Sequence, residues 1–282
     1  MNQILNIENL NKSYKDFSLE LSLTMDSGSI VALIGENGAG KTTLIKSIFG
    51  LIKPESGTIQ YCGQDVDTLA QAQRNEIAVS FDGISLPDQF NSNDVSKMGK
   101  MMFSSWSQEI FNRTVEVLNI PKDKKIKELS KGMKAKLQLA YAFARNPKLI
   151  VLDEITSSMD PIVRDEVLEL LQDFIVDEGK AVILSSHLTS DLEKVADRFI
   201  FIHKGRIILD FTKDDLDGNF AIIRGDRTTF VDPSHLIASR ERNYSTDYLI
   251  DNKTEYLKNN PNAILDKPSI EEIMLIIAKK DN

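Results

Sequence analysis

Gly35-Glu36-Asn37-Gly38-Ala39-Gly40-Lys41-Thr42-Thr43 is the stretch on which the reading of this chain turns. It fits G-x-x-x-x-G-K-[ST] and lies where such a loop must lie. Ile30-Val31-Ala32-Leu33-Ile34 before it is an apolar run of strand length, and Leu44-Ile45-Lys46-Ser47-Ile48-Phe49 after it has a helical pattern. The glycines let backbone N–H groups turn inward around a chain of phosphates, and the helix start adds partial positive charge. In such a loop Lys41 would reach the β- and γ-phosphates and the Thr42 hydroxyl would bind Mg²⁺. A chance glycine turn meets the pattern in about one random chain in a hundred. The strand–loop–helix setting makes chance rarer still.

The 282 residues are ample for one α/β core with a smaller appendage. A hydrophobic fraction of 41% and a charged fraction of 27% describe an ordinary soluble globular chain. The net charge of -8 argues against a protein built mainly to hold nucleic acid, and fits an acidic balance that keeps a cytoplasmic protein in solution. The single cysteine, Cys62, cannot form an internal disulfide; it fits a reducing compartment and reads as a strand residue within 58–62. Met1-Asn2-Gln3-Ile4 has no basic region followed by an apolar core, so no signal peptide is expected. No apolar run approaches the roughly 20 residues that span a bilayer, so a membrane role needs a partner.

Along the chain, residues 4–10, 17–23, 30–34 and 57–61 read as short strands separated by turns. Residues 87–147 read as helical. Val95, Met98, Met102 and Phe103 recur at helical spacing, as do Phe111, Val115 and Leu118, and both stripes are expected in the core; Trp106 is expected in the core or on a surface near a partner. Strand and helix then alternate: 149–152, 161–176, 181–184, 191–196 and 199–202. Apolar strands alternating with helices imply a parallel sheet covered on both faces. From about residue 212 the chain turns polar, with a short apolar piece at 220–223. Residues 269–278 close it as a helix with Ile270, Ile273, Met274 and Ile277 on one face.

Two further segments carry chemistry. Leu149-Ile150-Val151-Leu152-Asp153-Glu154 is a buried strand ending in two carboxylates. After a phosphate loop, the first acid suits Mg²⁺ and the second suits orienting or deprotonating an attacking water. Leu129-Ser130-Lys131-Gly132-Met133 leads into a helix over 135–144, and a serine with a glycine at a helix start offers either a plain N-cap or a second anion site.

Over residues 1 to about 210 the chain resembles the ATP-binding subunits of ABC transporters. Residues 35–43 look like the Walker A loop and 149–154 like Walker B. Residues 129–133 look like the signature motif, usually LSGGQ; Ser157-Ser158-Met159-Asp160 resembles the D-loop, and Ser185-Ser186-His187 the strand end that carries the switch histidine. Tyr14 stands where the family places an aromatic ring against adenine, with core packing as the alternative. Lys131 and Met133 depart from LSGGQ, in a form similar to the bacterial ABC-2-type branch, and Ile155 replaces the usual proline after Walker B. By register from Ile77-Ala78-Val79-Ser80-Phe81, the Q-loop position falls on Asp82 instead of a glutamine, with Gln89 as the alternative.

The resemblance implies an α/β P-loop NTPase core over 1–211, with a helical subdomain at about 84–145 and a small C-terminal α+β extension over 212–282. It implies ATP and Mg²⁺ as cofactors. Gly35, Asn37, Gly38, Ala39, Gly40, Lys41, Thr42, Thr43, Tyr14, Ser130 and Gly132 would hold nucleotide. Thr42, Asp153 and Asp82 would serve the metal. Glu154, His187 and Lys41 would serve catalysis, His187 alternatively being a satisfied polar residue at a strand end. His203 and His235 are expected at the surface or in loops. The resemblance further implies a homodimer or a pair of like subunits with ATP between Walker A of one chain and the signature loop of the other. Transmembrane permease subunits would dock near the Q-loop and the helical region, placing the chain peripherally at the cytoplasmic face of the membrane. The implied activity is ATP hydrolysis that powers an exporter of peptides or antimicrobial compounds, without nucleic acid. Its rivals are a soluble ABC ATPase of translation or DNA repair and an ATP-binding regulatory module. For the tail, a regulatory or dimer-stabilising role stands beside that of a passive extension packed on the core.

Overall fold

Apolar runs without polar alternation need cover on both faces, and the strands at Ile30–Ile34, Leu149–Asp153 and Ala181–Ser185 are buried at every position. The structure is a computed structural model and describes residues 2–81, 86–225 and 231–278. In chain order its elements are β1 (Gln3–Tyr14), β2 (Phe17–Asp26), β3 (Ile30–Ile34), α1 (Lys41–Ile48), β4 (Ser56–Tyr61), β5 (Gln64–Asp65), α2 (Gln71–Asn75), β6 (Ile77–Phe81), α3 (Ser92–Met102), α4 (Gln108–Val117) and α5 (Lys131–Ala144). There follow β7 (Leu149–Asp153), α6 (Pro161–Val176), β8 (Ala181–Ser185), α7 (Thr189–Val195), β9 (Arg198–His203), β10 (Arg206–Thr212), β11 (Ala221–Gly225), β12 (Leu236–Glu241), β13 (Thr246–Ile250), α8 (Lys253–Asn259) and α9 (Ile270–Ile277).

The central sheet runs β10-β9-β3-β8-β7-β6, parallel from β9 to β6 with β10 antiparallel at one edge. Successive side chains of β3 point to opposite faces. Val31 and Leu33 join a core with α1, while Ile30, Ala32 and Ile34 join the core beneath α5, α6 and α7. The first strands do not enter this sheet. They form a separate antiparallel sheet, β2-β1-β4-β5, whose alternating inward residues Leu19, Leu21, Leu23 and Met25 close over α1.

Helix boundaries follow their caps. Asn91 caps α3, Ser107 caps α4, Asp160 caps α6 with Pro161 at its first position, and Ser269 with Glu272 forms a capping box on α9. Phe111, Val115 and Leu118 are buried as their spacing predicts. Trp106 packs between Phe111 and Tyr141 at ring-centroid distances of 5.3 and 5.6 Å. Met102 departs from expectation: α3 ends there, and its side chain is 58% exposed. Cys62 is not a strand residue but sits exposed in the left-handed turn between β4 and β5. His203 is buried at the end of β9, because the β9–β10 turn folds against the phosphate loop, and the His235 side chain, in the loop before β12, is largely buried beside Asp251.

The tail forms a three-stranded antiparallel sheet, β11-β13-β12, with a small core of its own. Its closing helix does something else. Ile270, Ile273, Ile276 and Ile277 of α9 belong to the same hydrophobic cluster as Phe199 and Phe201 of β9 and Leu192 of α7. Stacking of Phe199 on Phe211, and of Phe211 near Phe220, each at 5.2 Å, continues that core into the tail.

Candidate functional site

Parallel pairing places the ends of β3, β8 and β7 in one row, because Leu33 lies opposite Ser185 and Ser185 opposite Asp153. The loops leaving these strands therefore emerge together at one edge of the sheet, the place where open α/β sheets bind ligands.

The glycine loop packs tightly there. A side chain on Gly35 would come within 2.3 Å of the Ile202 carbonyl oxygen, and one on Gly40 (φ 115°) within 2.9 Å of the Phe17 ring. Ala39 accepts a hydrogen bond from the Gly205 N–H at 2.9 Å, which ties the β9–β10 turn to the loop. Lys41 is buried, and its ammonium donates to the carbonyls of Gly35 at 2.6 Å and Glu36 at 3.2 Å. Burial holds that ammonium below its usual pKa range, and the carboxylates of Glu154 and Asp153 pull it part of the way back. An amine desolvated in this way gains from an added anionic phosphate, so the cradle fits a nucleotide's phosphate chain.

Thr42 donates its hydroxyl to Asp153 Oδ2 at 2.9 Å. A hydroxyl that donates keeps lone pairs for a cation, so one hydroxyl and one buried carboxylate fit Mg²⁺, which is held by one or two carboxylates together with substrate phosphates. When bound, an ion held by these residues would supply positive charge to offset that developing on the phosphates.

Glu154 follows with a left-handed backbone (φ 57°), held by its N–H to the Ser185 carbonyl at 3.1 Å. Its carboxylate meets His187 twice. The His187 N–H donates to Oε2 at 3.2 Å, and the His187 ring Nε2 lies 3.2 Å from Oε1. The His187 ring is half exposed, which leaves it reach toward a ligand.

A cleft of ≈470 Å³ is lined by residues 36–38 and 40–43, Asp153, Glu154, Tyr14, Asp16 and Phe17; His187 does not line it but faces a neighbouring cavity that shares Glu36 and is walled by Met274 and Leu275 of α9. Tyr14 is 46% exposed, which sets aside core packing, and its ring lies 6.2 Å from Phe17. Asp16, Phe17 and Glu36 are lining residues that the sequence reading missed. Asp16 and Phe17 reach the cleft through the turn that pairs Tyr14 with Phe17. Ser130 and Gly132 do not line this cleft; Ser130 is exposed and caps α5 by accepting from the Met133 N–H at 3.2 Å. Asp82 lies outside the described residues, and Gln89 is exposed in the loop before α3.

A parallel sheet with a phosphate loop, a Thr–Asp pair and a second acid at one strand edge defines an ATPase of the P-loop class. A profile described as ABC transporter matches residues 19–157. The lantibiotic transport ATP-binding protein SrtF of Streptococcus pyogenes is 33% identical over 211 residues, covering 73% of this chain and 90% of the relative. The Nod factor export ATP-binding protein I of Burkholderia lata is 35% identical over 195 residues, which is 67% of this chain and 63% of the relative. A solved ATP-binding subunit of an ABC transporter, 28% identical, superposes with a TM-score of 0.68 over 76% of this chain and 91% of that one. The chain belongs to the ABC transporter ATP-binding proteins and is an ATPase that binds nucleotide.

Proposed function

We propose that this chain powers export across a membrane as one of two ATP-binding subunits docked on transmembrane permease subunits, at the cytoplasmic face. Tyr14 stacks adenine, residues 35–43 hold the phosphates, and Thr42 with Asp153 holds Mg²⁺. Glu154 orients and deprotonates the attacking water, and His187 steadies Glu154 and the γ-phosphoryl group as it passes from ADP to that water. Ser130 and Gly132 serve the nucleotide of the partner subunit. Among the described residues no helix is long and apolar enough to cross a membrane, which is in keeping with a separate permease. Likeness to lantibiotic and Nod factor transport proteins supports export, and peptides or other antimicrobial compounds are the cargo class.

The observation that carries this reading is the pairing of His187, at 3.2 Å, with Glu154, which lines the same cleft as Lys41, Thr42 and Asp153. A carboxylate fixed by a strand-end histidine, beside a phosphate cradle, is placed to act as a base. Glu154→Gln keeps the shape and loses the base. ATP should still bind, turnover should fall by about 10²-fold or more, and light scattering should report an ATP-stabilised dimer. Turnover equal to the parent's would remove Glu154 from the role of base.

A further inference from the structure

β8 ends at Ser185 and Ser186 follows it, and each serine is spent on a different neighbour. Ser185, fully buried, donates its hydroxyl to Asp153 Oδ1 in a short hydrogen bond. Ser186 shares a hydrogen with Thr156 Oγ1 at 3.2 Å and accepts from the Leu188 N–H at 3.1 Å. Sheet register makes the first contact possible, because Ser185 is the residue directly opposite Asp153.

Asp153 thus receives one hydroxyl on each oxygen, Ser185 on Oδ1 and Thr42 on Oδ2. A carboxylate held at only one oxygen can turn about its terminal torsion, which is a broad, soft well. Held at both, its plane is fixed, and the lone pairs left on Oδ2 keep a single direction beside the Thr42 hydroxyl. Ligating carboxylates depend on such outer hydrogen bonds for their orientation.

We propose that Ser185 is a positioning residue for the metal: its hydroxyl fixes the Asp153 carboxylate so that Oδ2 and the Thr42 hydroxyl face the Mg²⁺ of bound nucleotide. This rests on the assignment of Asp153 and Thr42 to Mg²⁺ made above. The contact that shapes the backbone, Glu154 N–H to the Ser185 carbonyl, involves no side-chain atom of Ser185 and survives its replacement.

The test measures metal and nucleotide separately in the full-length chain. Mn²⁺ binding to the ADP-loaded protein is followed by electron paramagnetic resonance, the Mg²⁺ needed for half-maximal ATP turnover is titrated, and ADP affinity is measured in EDTA. For Ser185→Ala both metal requirements should rise about tenfold, with ADP affinity in EDTA unchanged. Ser185→Thr, which keeps the hydroxyl, should return to the parent, and Ser185→Cys, a similar shape with a weak donor, should fall between. Ser185→Cys carries the test alone if Ser185→Ala does not fold. Unchanged metal requirements in Ser185→Ala or Ser185→Cys overturn the proposal. So does a loss of ADP affinity in EDTA as large as the loss of Mn²⁺, which would mean that the hydroxyl shapes the loop and not the carboxylate. Asp153→Asn run in parallel keeps the two assignments apart: if it leaves Mn²⁺ binding intact, Asp153 is not the metal's carboxylate; if it weakens Mn²⁺ binding while Ser185→Ala does not, only the role of Ser185 fails.

Discussion

At the scale of single residues the site is built on two buried ionisable side chains, Lys41 and Asp153. Lys41 is the clearest case. Its ammonium is buried within the glycine loop and held by two carbonyl oxygens, with its pKa depressed by that burial. Such a group is costly to keep charged until an anion arrives. Lys41→Ala removes that charge at the reacting end of the phosphates, and ATP turnover should drop by about 10²-fold or more, measured as phosphate release at saturating ATP. Hydrolysis close to the parent's would undo the assignment of residues 35–43. The loop itself was legible in the sequence, because its pattern is local: glycines, a lysine and a threonine at fixed spacing between a strand and a helix. Ser185 was not legible as a partner of Asp153, since their contact depends on which strands lie side by side. Phe17 and Asp16 escaped for a related reason: they reach the cleft only because the β1–β2 turn folds over it.

At the scale of elements, β3, β7, β8 and β9 were readable from their apolar runs, and α6 begins and ends where its cap and periodicity place it; β10, an edge strand exposed at alternate positions, was not read as a strand. What could not be read was the grouping. The pairing of β1 with β4, Leu5 opposite Tyr61, joins segments far apart in the chain and makes a second sheet. The tail shows the same effect. The stripe on α9 predicts a buried face but not what buries it. That face belongs to the core beneath β9, and the N–H of Ile270 donates to Glu193 of α7 at 2.5 Å. A helix that shares the central core contributes to its stability. Ile273→Ala, at a position 1% exposed, should therefore cost about 3 kcal/mol, and the Tm of the whole chain should fall by roughly 6–12 °C. Calorimetry would read this as a shift of the main transition. A main transition that stays put while a minor one moves would make the tail a separate, loosely attached unit.

At the scale of the whole molecule, a single chain presents half of what the proposed reaction needs. The described cleft has Tyr14, the glycine loop and the two acids along its walls, and Ser130 stands exposed at the head of α5, away from that lining. An exposed helix start with a serine cap has spare N–H groups for an anion, and a second copy would bring such an anion to it. Two identical chains facing each other in opposite senses would then complete two sites at once, each built from the glycine loop of one and Ser130 of the other. This arrangement makes complementation possible between variants that are each inactive. Ser130→Arg sets a bulky cation at the partner's phosphates and leaves its own glycine loop intact; Lys41→Ala does the reverse. In a dimer of one of each, one site carries both lesions and the other carries none. Single-turnover ATP hydrolysis by the mixed pair, with the mixed dimer isolated by two different affinity tags, should exceed that of either variant alone. Isolated mixed dimers that hydrolyse no more ATP in a single turnover than the Lys41→Ala or Ser130→Arg homodimers would contradict a site shared between two chains.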